Sequence, residues 1–170
     1  RSQTLAYEVL ASEKTHPDAS IRLDLVRLFA QASGAKGMVA GQVVDMAYEH
    51  HPQTVTVENL HRMNMLKTGL NIRACALAGV ILAQPKDADI KTALELYATH
   101  LGRAFQIWDD VLDVTSSAEQ LGKTPGKDAK AGKRTFVTLL GLENAQKAAY
   151  AEVDSALAAL ESIDLRTDIL

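Results

Sequence analysis

Apolar residues recur along this chain at spacings of three and four, with no sustained alternation, which predicts helices almost throughout. Leu5, Val9 and Leu10 begin a first helix that stops before His16-Pro17. Pro17-Asp18 opens a second, in which Ile21, Leu25, Leu28 and Phe29 repeat until Gly34. Gly34 and Gly37 separate it from a helix over residues 38–48, and the polar run His50-His51-Pro52-Gln53-Thr54 reads as a loop. Thr56 is a good N-cap with Glu58 in the first turn, so a long helix follows to about Ala83, where Gln84-Pro85 ends it. A further helix over residues 87–114 leads into a polar, glycine-bearing stretch at residues 115–132. Two last helices are expected near residues 135–140 and 142–162. The predicted class is all-α, a bundle with several long central helices.

Composition narrows the picture. At 170 residues and 47% hydrophobic content the chain can build one core, read as a single domain over residues 1–170. The net charge is −3 and no basic run precedes position 123, which argues against a nucleic-acid partner. Cys75 cannot form an internal disulfide and reads as a small buried hydrophobe in a reducing compartment. The longest nearly uncharged stretch, residues 74–84, is too short to span a bilayer, so no stable membrane insertion and a cytoplasmic setting are expected. The chain starts at Arg1 without a methionine, and its last residues read as the start of another helix. Both features suggest a piece cut at both ends.

The chemistry concentrates in Phe105-Gln106-Ile107-Trp108-Asp109-Asp110-Val111-Leu112-Asp113. At about 100° per residue, Asp109 and Asp113 share a helical face and Asp110 with Asp113 flanks the same stripe. Three carboxylates within a turn, among apolar neighbours, repel one another unless a cation intervenes. Mg²⁺ suits such a half-filled set, because it takes one or two carboxylates plus waters and substrate phosphates. The alternative is an acidic solvent face. Acids near the end of a helix also oppose its dipole, a local rule whose breach often marks a functional site.

Downstream, residues 121–134 carry five basic residues, three glycines and one aspartate. Glycines let a backbone approach a ligand, and lysines meet phosphate as mobile charges. The segment lacks the spacing of a Walker loop, and it also reads as an ordinary solvated loop. Lys67-Thr68-Gly69, mid-helix, can offer an ammonium and a hydroxyl to one phosphate. Gln42 and Asp45, three apart on a face with Met38, Val44 and Met46, form either a structural hydrogen bond or part of a cavity wall.

Taken as an ordered set, these motifs resemble the trans-isoprenyl diphosphate synthases, of the bacterial farnesyl diphosphate synthase type. The set is A-G-Q-x-x-D at Gly41, Gln42 and Asp45; K-T-G at Lys67, Thr68 and Gly69; F-Q-x-x-D-D-x-x-D at Phe105, Gln106, Asp109, Asp110 and Asp113; L-G-K-T-x-G-x-D from Leu121 to Asp128; and Lys133 before Thr135. Order and approximate separations agree across residues 5–149. The resemblance implies antiparallel helices around a central cavity, usually a homodimer. It implies that an allylic diphosphate, dimethylallyl or geranyl, ionises and is attacked by isopentenyl diphosphate, releasing pyrophosphate and yielding a linear prenyl diphosphate, farnesyl by type. Asp109, Asp110 and Asp113 match the second aspartate-rich motif, which holds Mg²⁺. Lys67, Lys123 and Lys133 would contact the diphosphate. Thr68 and Gln106 would lie along the forming cation, with Gln42 close by, Asp45 one layer behind, and Phe105 walling the isopentenyl site.

The chain departs from that pattern in three places. The family's first aspartate-rich motif and its arginine pair fall upstream of Arg1, so the segment alone is expected to be inactive, and the residues that set product length fall there too. His61 and Lys67 stand about one helical turn further apart than in the family's H-x-x-K. Phe136-Val137 replaces Tyr-Pro after the final Lys-x-Thr. Two other readings compete: a class I terpene cyclase, disfavoured by K-T-G and the D-D-x-x-D form, and a non-catalytic helical subunit that modulates a prenyl synthase. His16, His50, His51 and His100 read as surface residues.

Overall fold

The computed structural model describes residues 2–121, 133–161 and 163–164. Among them every regular element is helical. Helix α1 is Ser2–Ala11, α2 Ala19–Ser33, α3 Met38–His50, α4 Val57–Asn64, α5 Leu70–Ala83, α6 Ala88–Leu121, α7 Phe136–Leu140 and α8 Leu142–Glu161. A π turn, Met65–Gly69, joins α4 to α5 without a break, and the predicted loop after α3 holds a short 3₁₀ turn, Pro52–Thr54.

Local chemistry accounts for the boundaries. Asp18 caps α2 by accepting from Ser20 N, and Thr56 caps α4 by accepting from Asn59 N, as its sequence suggests. Gln84 closes α5 in the left-handed region, at φ 43°, just before Pro85. Helix α6 runs seven residues beyond its expected end. The hydroxyl of Thr115 bonds back to the Val111 carbonyl instead of breaking the helix, and Ala118, Glu119 and Gln120 carry good helix propensity.

The core has two parts. One gathers Leu60, Met63, Ile107, Val111, Phe136 and Ala149, joining α4, α6, α7 and α8. The other joins Tyr97 and Ala98 of α6 to Ala156 and Leu160 of α8. Helix α8 presents Ala145, Ala149, Ala156 and Leu160 to this seam, and its small side chains let α8 lie close along α6. The alanine-rich tail therefore does more than form a helix: it sets the spacing of the seam.

Several expectations need correction. Cys75 is exposed. Helix α5 is apolar on nearly all sides, so periodicity could not tell which face was covered. His100 is not a bystander: its Nδ1 lies 2.7 Å from Glu152 Oε2, while Arg103 Nη1 lies 3.6 Å from the other oxygen, tying α6 to α8. The apolar stretch is also longer than read from sequence, since the continuous helix Val57–Ala83 is long and apolar enough to cross a membrane by length and composition. Three of its polar side chains pair with neighbouring helices, however: Lys67 with Asp45, Asn71 with Ser33 and Arg73 with Glu95. That is the pattern of a bundle helix.

The His61 ring packs against Phe136 at a tilt of 52°, with ring centroids 4.7 Å apart. Burial, then the nearby Arg103 charge, holds its pKa below the ordinary 6.5, with Glu152 pulling the other way. Below about pH 6.5 the unfolded chain therefore binds a proton that the folded chain refuses, and stability falls with pH. The melting-temperature gap between wild type and His61→Gln should narrow from pH 7.5 to pH 5.5. A gap that is constant across this range would contradict the assignment.

Candidate active site

The site grows from the π turn. Leu70 N–H bonds to the carbonyl of Met65, five residues back, so the helix widens where Lys67, Thr68 and Gly69 stand. Such turns are frequent at functional sites. Glycines allow this one to be gripped from two sides. A Cβ on Gly41 of α3 would lie 2.3 Å from Lys67 N, and one on Gly102 of α6 would lie 3.3 Å from the Gly69 Cα. Helix α3 can approach this closely only because position 41 has no side chain.

Across that contact Lys67 Nζ donates to Asp45 Oδ2 at 2.7 Å. The Asp45 side chain is 8% exposed and that of Lys67 33%. Removing one partner of a buried pair costs about 3–5 kcal/mol. With Lys67 partly in solvent, this pair belongs at the lower end. Asp45 is also the buried acid of a crevice shared with Tyr48, Leu60, Lys133, Arg134 and the exposed Glu49. Lys133 in turn acts on Asp110. Positive and negative groups thus alternate, from Lys67 through Asp45 and Lys133 to Asp110.

The aspartates of α6 divide. Asp109 and Asp113 are exposed, whereas Asp110 is half-buried and its Oδ2 accepts from Phe136 N at 2.8 Å. Burial pushes the Asp110 carboxyl above its ordinary range. The Phe136 bond opposes the rise, Asp109 and Asp113 add to it, and Lys133 offsets it. Among the described residues no three His, Cys, Asp or Glu side chains converge closely enough to cage a metal, so the expected triple cluster is not pre-assembled. The donor chemistry still fits Mg²⁺, which uses few carboxylates and completes its shell with waters and phosphate oxygens; Asp109 and Asp113 are the exposed pair.

Asp109 stands at an apolar groove of about 340 Å³ between α6 and α8, lined also by Leu101, Phe105, Trp108, Tyr150 and Val153. Phe105 is 54% exposed there. Gln106 faces another way, into a narrow cleft with Asn64, Gly69, Gly102 and Arg103, which sets it against the π turn. The structure therefore brings Lys67 to Asp45, Gln106 to the turn containing Thr68, and Lys133 to Asp110. It separates Gln42, which is exposed, from the buried Asp45. Lys123 and the rest of residues 122–132 lie outside the described residues. Sequence reasoning missed the π turn and the Asp110–Phe136 bond. The only hint of the turn was the unusual His61–Lys67 spacing, and the bond had no local signal.

Comparison with known proteins places this architecture among the isoprenoid synthases. The polyprenyl synthetase family profile matches residues 2–164, and the chain belongs to that family. It is 39% identical over 156 residues to farnesyl diphosphate synthase of Micrococcus luteus, covering 92% of this chain and 53% of that protein. It is 42% identical over 149 residues to geranylgeranyl pyrophosphate synthase 3 of Arabidopsis thaliana, covering 85% and 41%. The structure of a Helicobacter pylori geranyltransferase complexed with magnesium and isoprenyl diphosphate superposes with a TM-score of 0.78 at 30% identity, covering 94% of this chain and 50% of that one. The chain spans about half the length of the relatives it matches.

The glycine contacts give a paired test. Gly41→Ala drives a methyl into backbone and should lose about 1–3 kcal/mol in denaturant unfolding. Gly79→Ala, where an added Cβ meets nothing within 4 Å, should gain up to about 1 kcal/mol from helix propensity alone. Equal effects would mean that α3 is not seated against Lys67.

Proposed function

We propose that the protein of which this chain is part is a prenyl transferase that joins isopentenyl diphosphate to an allylic diphosphate, releasing pyrophosphate and forming a linear prenyl diphosphate. The observation that carries this reading is the alternation of Lys67, Asp45, Lys133 and Asp110 beside two exposed carboxylates and an apolar groove. An ordinary acidic helix face has no reason to be met by a lysine paired to a buried carboxylate and by a hydrophobic wall.

In this reading Lys67 and Lys133 receive the diphosphate, joined by Lys123. Asp109 and Asp113 would hold Mg²⁺, which neutralises charge building on the leaving pyrophosphate. The allylic carbon–oxygen bond breaks, both electrons leave with pyrophosphate, and the double bond of isopentenyl diphosphate supplies the new carbon–carbon bond before a proton is lost. Thr68 and Gln106, on and against the π turn, offer oxygen dipoles to the developing cation, with Gln42 nearby. Phe105 and the apolar residues of α6 keep water away from it. Asp45 holds Lys67 in place. Farnesyl diphosphate is the proposed product, in a cytoplasmic enzyme that works as a homodimer.

The full-length protein with Mg²⁺, isopentenyl diphosphate and dimethylallyl or geranyl diphosphate should give a linear prenyl diphosphate and pyrophosphate. Product chromatography checks it, and cyclic hydrocarbon products would favour a cyclase instead. Asp109→Ala should lower kcat at least a hundredfold, and wild-type turnover would remove Asp109 from the proposed metal site.

A further inference from the structure

The three aspartates of α6 need not share one task, and their surroundings differ. Asp109 and Asp113 are exposed, and among the described residues neither side chain has a hydrogen-bond partner. Asp110 is turned toward the core side of the helix, between buried Ile107 and Val111, and its Oδ2 is taken by Phe136 N–H at 2.8 Å. Phe136 is the first residue of α7 and is fully buried. Immediately before it stand Thr135, whose side chain closes a reciprocal capping box with Thr138, and the exposed cations Lys133 and Arg134.

A five-residue helix is far below the length that is stable alone. Its first peptide groups lack partners within the helix, and here one of them is answered from α6. The Asp110 carboxylate therefore fixes where α7 begins against α6. It thereby fixes where Lys133 sits, beside Asp45 in the crevice next to Lys67. We propose that Asp110 is a positioning residue, which anchors the start of α7 through the Phe136 peptide and so holds Lys133 over the anion site, leaving Asp109 and Asp113 as the metal-binding carboxylates. The assignment of Lys133 to an anion rests on the function proposed above; the anchoring of α7 does not.

Two changes, one isosteric and one a truncation, separate the roles. Asp110→Asn keeps an oxygen that accepts from Phe136 N–H, whereas Asp110→Ala removes it. In the full-length protein without substrate, amide exchange at residues 136–140 should accelerate at least tenfold in Asp110→Ala and stay within about threefold of wild type in Asp110→Asn. In turnover assays, Asp110→Ala should raise KM for the allylic diphosphate more than it lowers kcat. Asp110→Asn should restore KM, with the Mg²⁺ half-saturation concentration within threefold of wild type, while Asp109→Asn raises that concentration at least tenfold. If Asp110→Asn shifts the Mg²⁺ requirement as far as Asp109→Asn does, Asp110 is a metal ligand and the proposal fails. Unchanged exchange in Asp110→Ala also overturns it. Should the wild type show no prenyl transfer, the exchange result still decides the anchoring, and only the functional reading falls.

Discussion

The close seating of α3 on the π turn governs the geometry of this molecule. A buried carboxylate, Asp45, is tolerable only with a cation against it, and Lys67 reaches it only where Gly41 leaves room for the turn's backbone. The turn also meets α6 through Gly69 and Gly102. Three helices are thus locked around a few residues that lie off the regular helical ladder. The lysine is partly exposed, and its freedom is limited by the carboxylate it is paired with. Pre-orientation of this kind lets charged groups stabilise developing charge with little rearrangement.

From that point the charges are laid out in sequence across element boundaries: α5's approach contributes Lys67, α3 Asp45, the segment before α7 Lys133, and α6 Asp110. No neighbouring pair in this run comes from one helix, so the arrangement exists only in the folded bundle. The same helix that supplies Asp110 inward supplies Asp109 outward to a greasy groove, because adjacent residues on a helix point about 100° apart. A single turn can therefore carry a structural anchor and an exposed carboxylate side by side.

Much of the architecture was legible in the sequence. Asp18, Thr56 and Thr135 mark helix starts by an identifiable mechanism, and Gln84-Pro85 marks an end. The ordered motifs led to the family and picked out Lys67, Gln106 and the α6 aspartates. What could not be read was orientation. Gln42 and Asp45 are three apart and were paired on one face, yet one is exposed and the other buried, since a helix face turns gradually and the neighbouring element decides the cut. Cys75 failed for the same reason, on a helix with no polar side to betray its outward face. The pairing of His100 and Arg103 with Glu152, some fifty positions away, depends on how α6 and α8 dock. The continuation of α6 past Thr115 was hidden because β-branched and hydroxyl residues there look like breakers until the side chain bonds back to the helix.

The shortness of α7 has a consequence for how the bundle assembles. Its five residues draw their order from Thr135, from one carboxylate of α6 and from the burial of Phe136 in the core shared with α4 and α8. It cannot precede its neighbours in folding, and of the described helices it has the least to lose before opening. It behaves as a latch that closes after the long helices have aligned. Because Phe136 is buried against both α6 and α8 partners, the order of α7 is tied to the docking of those two long helices.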